Sequence, residues 1–77
     1  MNITVEEFFE HFTTLPDKIT YLDREVYTED TIHCKDENGN IDIKEYNEFL
    51  SDYRYNNILD FSINPQQKSI YIEIDNE

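Results

Sequence analysis

Between Leu59 and Ile74 the chain twice alternates apolar and polar residues. Leu59, Phe61 and Ile63 precede Asn64-Pro65-Gln66-Gln67, and Ile70, Ile72 and Ile74 follow it. A period of two marks a strand with one buried and one wet face, and a turn-forming quartet between two such runs predicts an antiparallel hairpin. Any fold of this chain must therefore cover one side of a sheet. Two segments of helical period are available to do so. Thr4-Val5-Glu6-Glu7 is a capping box, with Ile3 and Phe8 at the positions of a hydrophobic staple. Val5, Phe8, Phe9 and Phe12 then recur at i, i+3, i+4 and i+7, which predicts a helix starting at Val5 and stopped by Pro16. Asp42-Ile43-Lys44-Glu45 repeats the box, with Ile41 and Tyr46 as staple. The stripe Tyr46, Phe49, Leu50 and Tyr53 predicts a second helix over about 43 to 54.

The middle of the chain reads as further strand. Lys18 to Thr28 is rich in Ile, Tyr, Val and Thr; Ile19 and Tyr21 share one face, Leu22 and Val26 the other. Thr31 to Lys35 is a short second strand. It leads to Asn38-Gly39, the commonest pair at the tip of a two-residue hairpin because both positions need φ > 0. Asp75-Asn76-Glu77 is expected to fray. No linker, repeat or low-complexity tract divides the chain. The prediction is a single domain over residues 1–77, of α+β class, with two amphipathic helices packed on a small antiparallel sheet of about four or five strands.

This frame has to fold against its own charge. Eighteen Asp and Glu against six Lys and Arg give a net charge of −12, where solubility in a small domain needs a magnitude of only roughly 2 to 8. Self-repulsion beyond that range destabilises the compact state, so the imbalance points to a basic partner. The 38% hydrophobic fraction, with five Phe and six Tyr, separates the chain from acidic disordered tails. Seventy-seven residues leave little core for a deep substrate pocket and its supporting shell, so binding by surface is expected rather than catalysis. A single cysteine, Cys34, excludes an internal disulfide framework and fits a reducing compartment. With no basic N-terminal region, signal-length apolar run or membrane-length stretch, the expected location is the cytoplasm. Direct binding to nucleic acid or to an anionic membrane is not expected, since both need Lys and Arg to displace counterions.

Metal and catalytic chemistry find little purchase. Aligned on Gly39, Cys34 to Glu45 partly matches an EF-hand loop, with Asp36, Asn38, the Asn40 carbonyl, Asp42 and Glu45 at ligand positions. The first position, however, is the soft thiol of Cys34 in place of a carboxylate. A degenerate calcium-binding module is the resulting alternative, and no metal site or cofactor is assigned. His11 lies toward the polar side of the first helix. His33 neighbours Cys34 in a strand, where adjacent side chains point to opposite faces, so the two cannot pair by adjacency. No Gly-rich loop is present to cradle a phosphate, and no catalytic residue is assigned.

The carboxylates themselves are arranged. Glu45, Glu48 and Asp52 recur at i, i+3 and i+7 on the second helix, expected opposite its aromatic stripe, and Glu6, Glu7 and Glu10 cluster likewise on the first. Like charges so spaced each cost a few tenths of a kcal/mol. Asp23, Glu25, Glu29 and Asp30 continue the acidic surface across a strand-to-strand turn, and Asp36 and Glu37 across the next. Tyrosines outside the buried stripes, namely Tyr21, Tyr27, Tyr55 and Tyr71, supply candidate anchors, Tyr27 and Tyr55 foremost.

In size, charge and mix of elements, though in no motif, the whole chain resembles the small acidic phage-encoded inhibitors that mimic DNA, such as anti-CRISPR proteins and uracil-DNA glycosylase inhibitors. The resemblance implies occupation of the nucleic-acid groove of a host defence or repair enzyme, in the host cytoplasm, with charge-steered association that weakens with salt. The expected function is therefore a non-enzymatic inhibitor that binds a basic nucleic-acid-processing protein and competes with nucleic acid. An antitoxin or immunity protein neutralising a basic toxin follows from the same charge logic.

Overall fold

A computed structural model describes residues 3–75. The elements run α1 (Val5–Glu10), β1 (Lys18–Asp23), β2 (Thr28–His33), α2 (Lys44–Tyr53), β3 (Ile58–Asn64) and β4 (Ser69–Ile74). The class is α+β with one four-stranded sheet in the order β2-β1-β4-β3. The sheet is mixed and not antiparallel throughout: two antiparallel hairpins, β1-β2 and β3-β4, meet at a parallel β1-β4 pair. Two strands that run parallel need a long crossover, and the connection through β2, α2 and β3 supplies it. Period and turn signals define hairpins; how two hairpins join is settled only by their packing.

Alternation from β4 outward defines the core. Ile70, Ile72 and Ile74 are buried, and register places Ile19 and Tyr21 of β1 beside Ile70 and Ile72, with Ile32 of β2 beyond Ile19. Val5, Phe8 and Phe9 of α1, Phe49 of α2 and Cys34 complete one cluster with these isoleucines and Ile58. Ring contacts tie helices to strands: Phe49 lies 4.8 Å from Tyr21, and Phe8 lies 5.1 Å from Phe61, centroid to centroid. Phe9 meets Tyr46 edge-to-face at 5.8 Å and joins the two helices. On the opposite side of the sheet the hydroxyls of Thr20 and Thr31 bond across β1 and β2 at 2.9 Å.

The first capping box forms as its sequence dictates. Thr4 Oγ1 accepts from the Glu7 amide at 3.2 Å, and Glu7 Oε1 accepts from the Thr4 amide at 3.2 Å. The helix it opens is shorter than predicted and ends at Glu10, well before Pro16. His11 Nδ1 takes the Glu7 carbonyl at 2.8 Å, and the amides of His11 and Phe12 tighten onto Phe8 and Phe9, which closes the last turn ahead of β-branched Thr13 and Thr14.

The second box does not form. Ile43 occupies the N-cap position without a side-chain bond, Asp42 Oδ1 accepts from the Lys44 amide at 3.1 Å, and Glu45 is drawn away to the β2 backbone. Ile41, expected to staple that helix, is 71% exposed.

Three strand details also differ from expectation. The β1-β2 turn falls at residues 24–27, earlier than predicted, because Asp23 Oδ1 accepts from the Glu25 amide at 3.0 Å while Tyr27 takes a left-handed φ of 55°. The loop at Asn38-Gly39 is not a two-residue turn. Asp36 and Asn40 close a three-residue loop, only Gly39 has positive φ (+81°), and Asp36 Oδ1 accepts from the amides of Asn38 and Asn40, both at 2.9 Å. In β3 a bulge between Ile58 and Asp60 hands the innermost position to Ile58, fully buried, and leaves Leu59 as the extra residue.

Candidate functional site

The fold gives the carboxylates different surroundings and partners. Asp23, expected at the surface, is only 2% exposed. The period that turns Ile19 and Tyr21 inward turns Asp23 inward as well, and this parity in the sequence could have revealed it. Its carboxylate accepts from the Glu25 amide at 3.0 Å, and its charge acts on the Tyr53 phenol. Burial first, then the neighbouring Tyr53 and Asp30, push the Tyr21 phenol up to about 12. Burial and then Asp23 raise Tyr53.

Glu7 is occupied by its cap, and the bonds from the Thr4 backbone and hydroxyl lower its pKa. Asp36 is spent on the loop it closes. Glu6 is paired with Arg54, Nε to Oε2 at 3.2 Å, a contact close enough for charge but not aligned as a hydrogen bond. The pairing of α1 with the end of α2 is tertiary, so no local spacing in the sequence announces it. Glu10, Glu25, Glu29 and Glu37 are exposed on separate elements.

What converges is a cleft between α2 and β2. Asp30 of β2 and Glu45, Glu48 and Asp52 of α2 line it, with Tyr21, Ile32 and Phe49 as its apolar wall and Thr31 completing the rim; its volume is about 230 Å³. The three acidic side chains of α2 are not opposite the aromatic stripe but about a third of a turn from it, as 100° per residue requires, so they flank Phe49 and face β2. Asp30 enters because it pairs with Tyr21 in the β1-β2 register and shares its face. Sequence reasoning placed Asp30 in a different acidic group and missed the aromatic wall.

Glu45 Oε1 accepts from the His33 amide at 3.1 Å and stands 3.7 Å from His33 Nδ1, a countercharge only when that imidazole is protonated. The other three carboxylates of the cleft appear in none of the ion pairs among the described residues. Of the candidate anchors, Tyr27 and Tyr55 are exposed at 76% and 75%, and the Arg54 guanidinium lies 6.0 Å from the Tyr55 ring centroid. Tyr21 is instead built into the stack with Phe49 and Tyr53, and Tyr71 is partly buried on the sheet.

The loop from Cys34 to Glu45 is organised as a hairpin. A strand, β2, leads into it, the Cys34 thiol is buried and pushed up to about 11, first by burial and then by Glu45 and Asp17, and Glu45 turns to His33. Among the described residues no group of three or more His, Cys, Asp or Glu converges as metal ligands would. No helix among them is long and apolar enough to cross a membrane. No protein-family model, curated protein or solved structure matches the chain.

Proposed function

We propose that this protein is a non-enzymatic inhibitor that binds a basic nucleic-acid-processing protein through its acidic surface and competes there with nucleic acid. The observation that carries this reading is the cleft of Asp30, Glu45, Glu48 and Asp52, four carboxylates on two facing elements of a chain of net charge −12. Glu45 to Asp52 spans about 10 Å of helix axis at 1.5 Å per residue, or a charge every ~5 Å. That is comparable to the ~3.4 Å between successive phosphates along one DNA strand. Helices packed on the core side of the sheet would hold the row rigid, which favours fast, charge-steered docking onto a groove lined by Lys and Arg. Tyr27 and Tyr55 supply exposed aromatic area.

The test is capture from bacterial lysate with the whole chain as bait, at low and at high salt, with DNA or RNA as competitor and mass spectrometry as readout. A basic nuclease or repair enzyme, released by salt and by nucleic acid, is the expected prey. The combined variant Glu45→Lys, Glu48→Lys and Asp52→Lys is expected to lose it while circular dichroism shows an intact fold; Glu25→Lys with Glu37→Lys, away from the cleft, is expected to keep it. Prey retained by the triple variant would remove this face from the account. A small basic toxin as prey would replace inhibitor by immunity protein.

A further inference from the structure

The sheet has two edges of opposite character. The β2 edge carries Glu29 and Asp30 and borders the acidic cleft on α2. The β3 edge, at the far side of the sheet, reads Ile-Leu-Asp-Phe-Ser-Ile-Asn with one charge, Asp60. Natural edge strands are commonly blunted by Lys, Pro, a bulge or a covering segment. Here the bulge and the cover are confined to the start of the strand: the bulge lies between Ile58 and Asp60, and the Ile58 amide donates to the Ile3 carbonyl at 2.8 Å.

From Phe61 to Asn64 the strand is regular; the Phe61 amide donates to Asp60 Oδ1 at 2.8 Å, which leaves the Ile63 amide and the Phe61 and Ile63 carbonyls facing the open edge. Among the described residues it pairs on one side only, with β4. Phe61 and Ile63 share the core-facing side with Ile72 and Ile70 yet remain 40% and 52% exposed, since the helices do not reach over the edge. Phe8 abuts Phe61 and Phe12 abuts Phe8 at 5.4 Å, so the apolar stripe continues onto α1.

We propose that a second copy of this chain docks on the stretch Phe61–Asn64 in antiparallel pairing, giving a symmetric dimer with one continuous eight-stranded sheet. Charge selects this occupant. A basic partner gains most at the β2 edge and finds almost nothing to complement at β3. Another copy, itself at −12, is repelled everywhere except where charge is sparse. Pairing β3 with β3 places the two acidic clefts at the outermost edges of the joined sheet, the greatest separation the sheet allows, so dimerisation leaves both free. Main-chain bonds supply the attraction, and Phe61 and Ile63 of the two copies cover one another.

Salt separates this contact from partner binding. Screening relieves the repulsion between two acidic copies, so self-association strengthens with salt, whereas binding to a basic protein weakens. The experiment is sedimentation velocity on the purified chain alone between about 1 µM and about 1 mM, the range in which weak self-association is populated. The expected result is a shift from 9.3 kDa toward twice that mass, larger at high salt. Ile63→Glu, which adds a like charge at an exposed position, is expected to raise the dimer Kd about tenfold or more, and Glu48→Gln to leave it unchanged or lower.

Amide exchange gives a readout that does not depend on the variant: the Ile63 amide, which faces away from β4, is expected to slow with concentration. A single 9.3-kDa species throughout, a dimer indifferent to Ile63→Glu, or Ile63 exchange independent of concentration would each overturn the proposal. Because no partner is present, none of these outcomes touches the inhibitor reading.

Discussion

Tyr21, Phe49 and Tyr53 form one ring cluster with centroids 4.8, 5.1 and 5.4 Å apart, where burial and then the charge of the buried Asp23 raise the Tyr53 phenol. Burial in that cluster sets the alkaline limit of the fold. The folded Tyr21 phenol titrates at about 12 against 10.0 for an ordinary tyrosine, so its contribution to stability is full below pH 10 and is lost as pH rises toward 12. The Cys34 thiol, raised from 9.0 to about 11, acts in the same direction over an adjoining window. Unfolding free energy measured at steps from pH 9 to 12 should fall throughout, and more shallowly above pH 10 in Tyr21→Phe. An unchanged slope in that variant would refute the assignment.

At the scale of elements, local signals succeeded where the chain satisfies its own backbone and failed where a distant strand competes. Thr4 and Glu7 cap α1 because each partner is three residues away. Asp42 and Glu45 have the same spacing, but β2 offers Glu45 the His33 amide, and the box gives way to that contact. The loop at Gly39 is local again. Its φ of +81° suits glycine, and no atom lies within 4 Å of where a Cβ would stand. Gly39→Ala is therefore expected to cost about 1–2 kcal/mol of backbone strain and no steric clash. Gly39→Asn, better tolerated in that region, should recover part of the loss in the same denaturation assay. Equal stability of all three chains would mean that the loop adopts another turn.

For the whole molecule the deciding quantity is the balance between a small core and a charge of −12. Ion pairs such as Lys35 with Asp17 at 3.0 Å and Arg24 with Glu73 at 3.5 Å are partly exposed and contribute little. Net repulsion dominates. Raising ionic strength shortens the Debye length to about 10 Å at 0.1 M, so Tm is expected to rise with sodium chloride. A relief of about 1 kcal/mol corresponds to about 4–8 °C in a domain of this size. A Tm that falls with salt would mean that the ion pairs outweigh the repulsion.

Periodicity and short-range chemistry determined the elements. Ile70, Ile72 and Ile74 read as a buried strand face and are one, the stripe of Tyr46, Phe49, Leu50 and Tyr53 marked α2, and Thr4 fixed where α1 begins, because each signal depends on residues within a turn or two of one another. The candidate site was legible only in its ingredients. Glu45, Glu48 and Asp52 could be seen to share a helix, but the arrival of Asp30, the inward turn of Asp23 and the pairing of Glu6 with Arg54 depend on which strands neighbour which. That choice, two hairpins joined by the parallel β1-β4 pair, rests on burying Ile19 against Ile70 and Ile72. Such long-range packing leaves no periodic trace in the chain, so tertiary structure alone decided which carboxylates stand together.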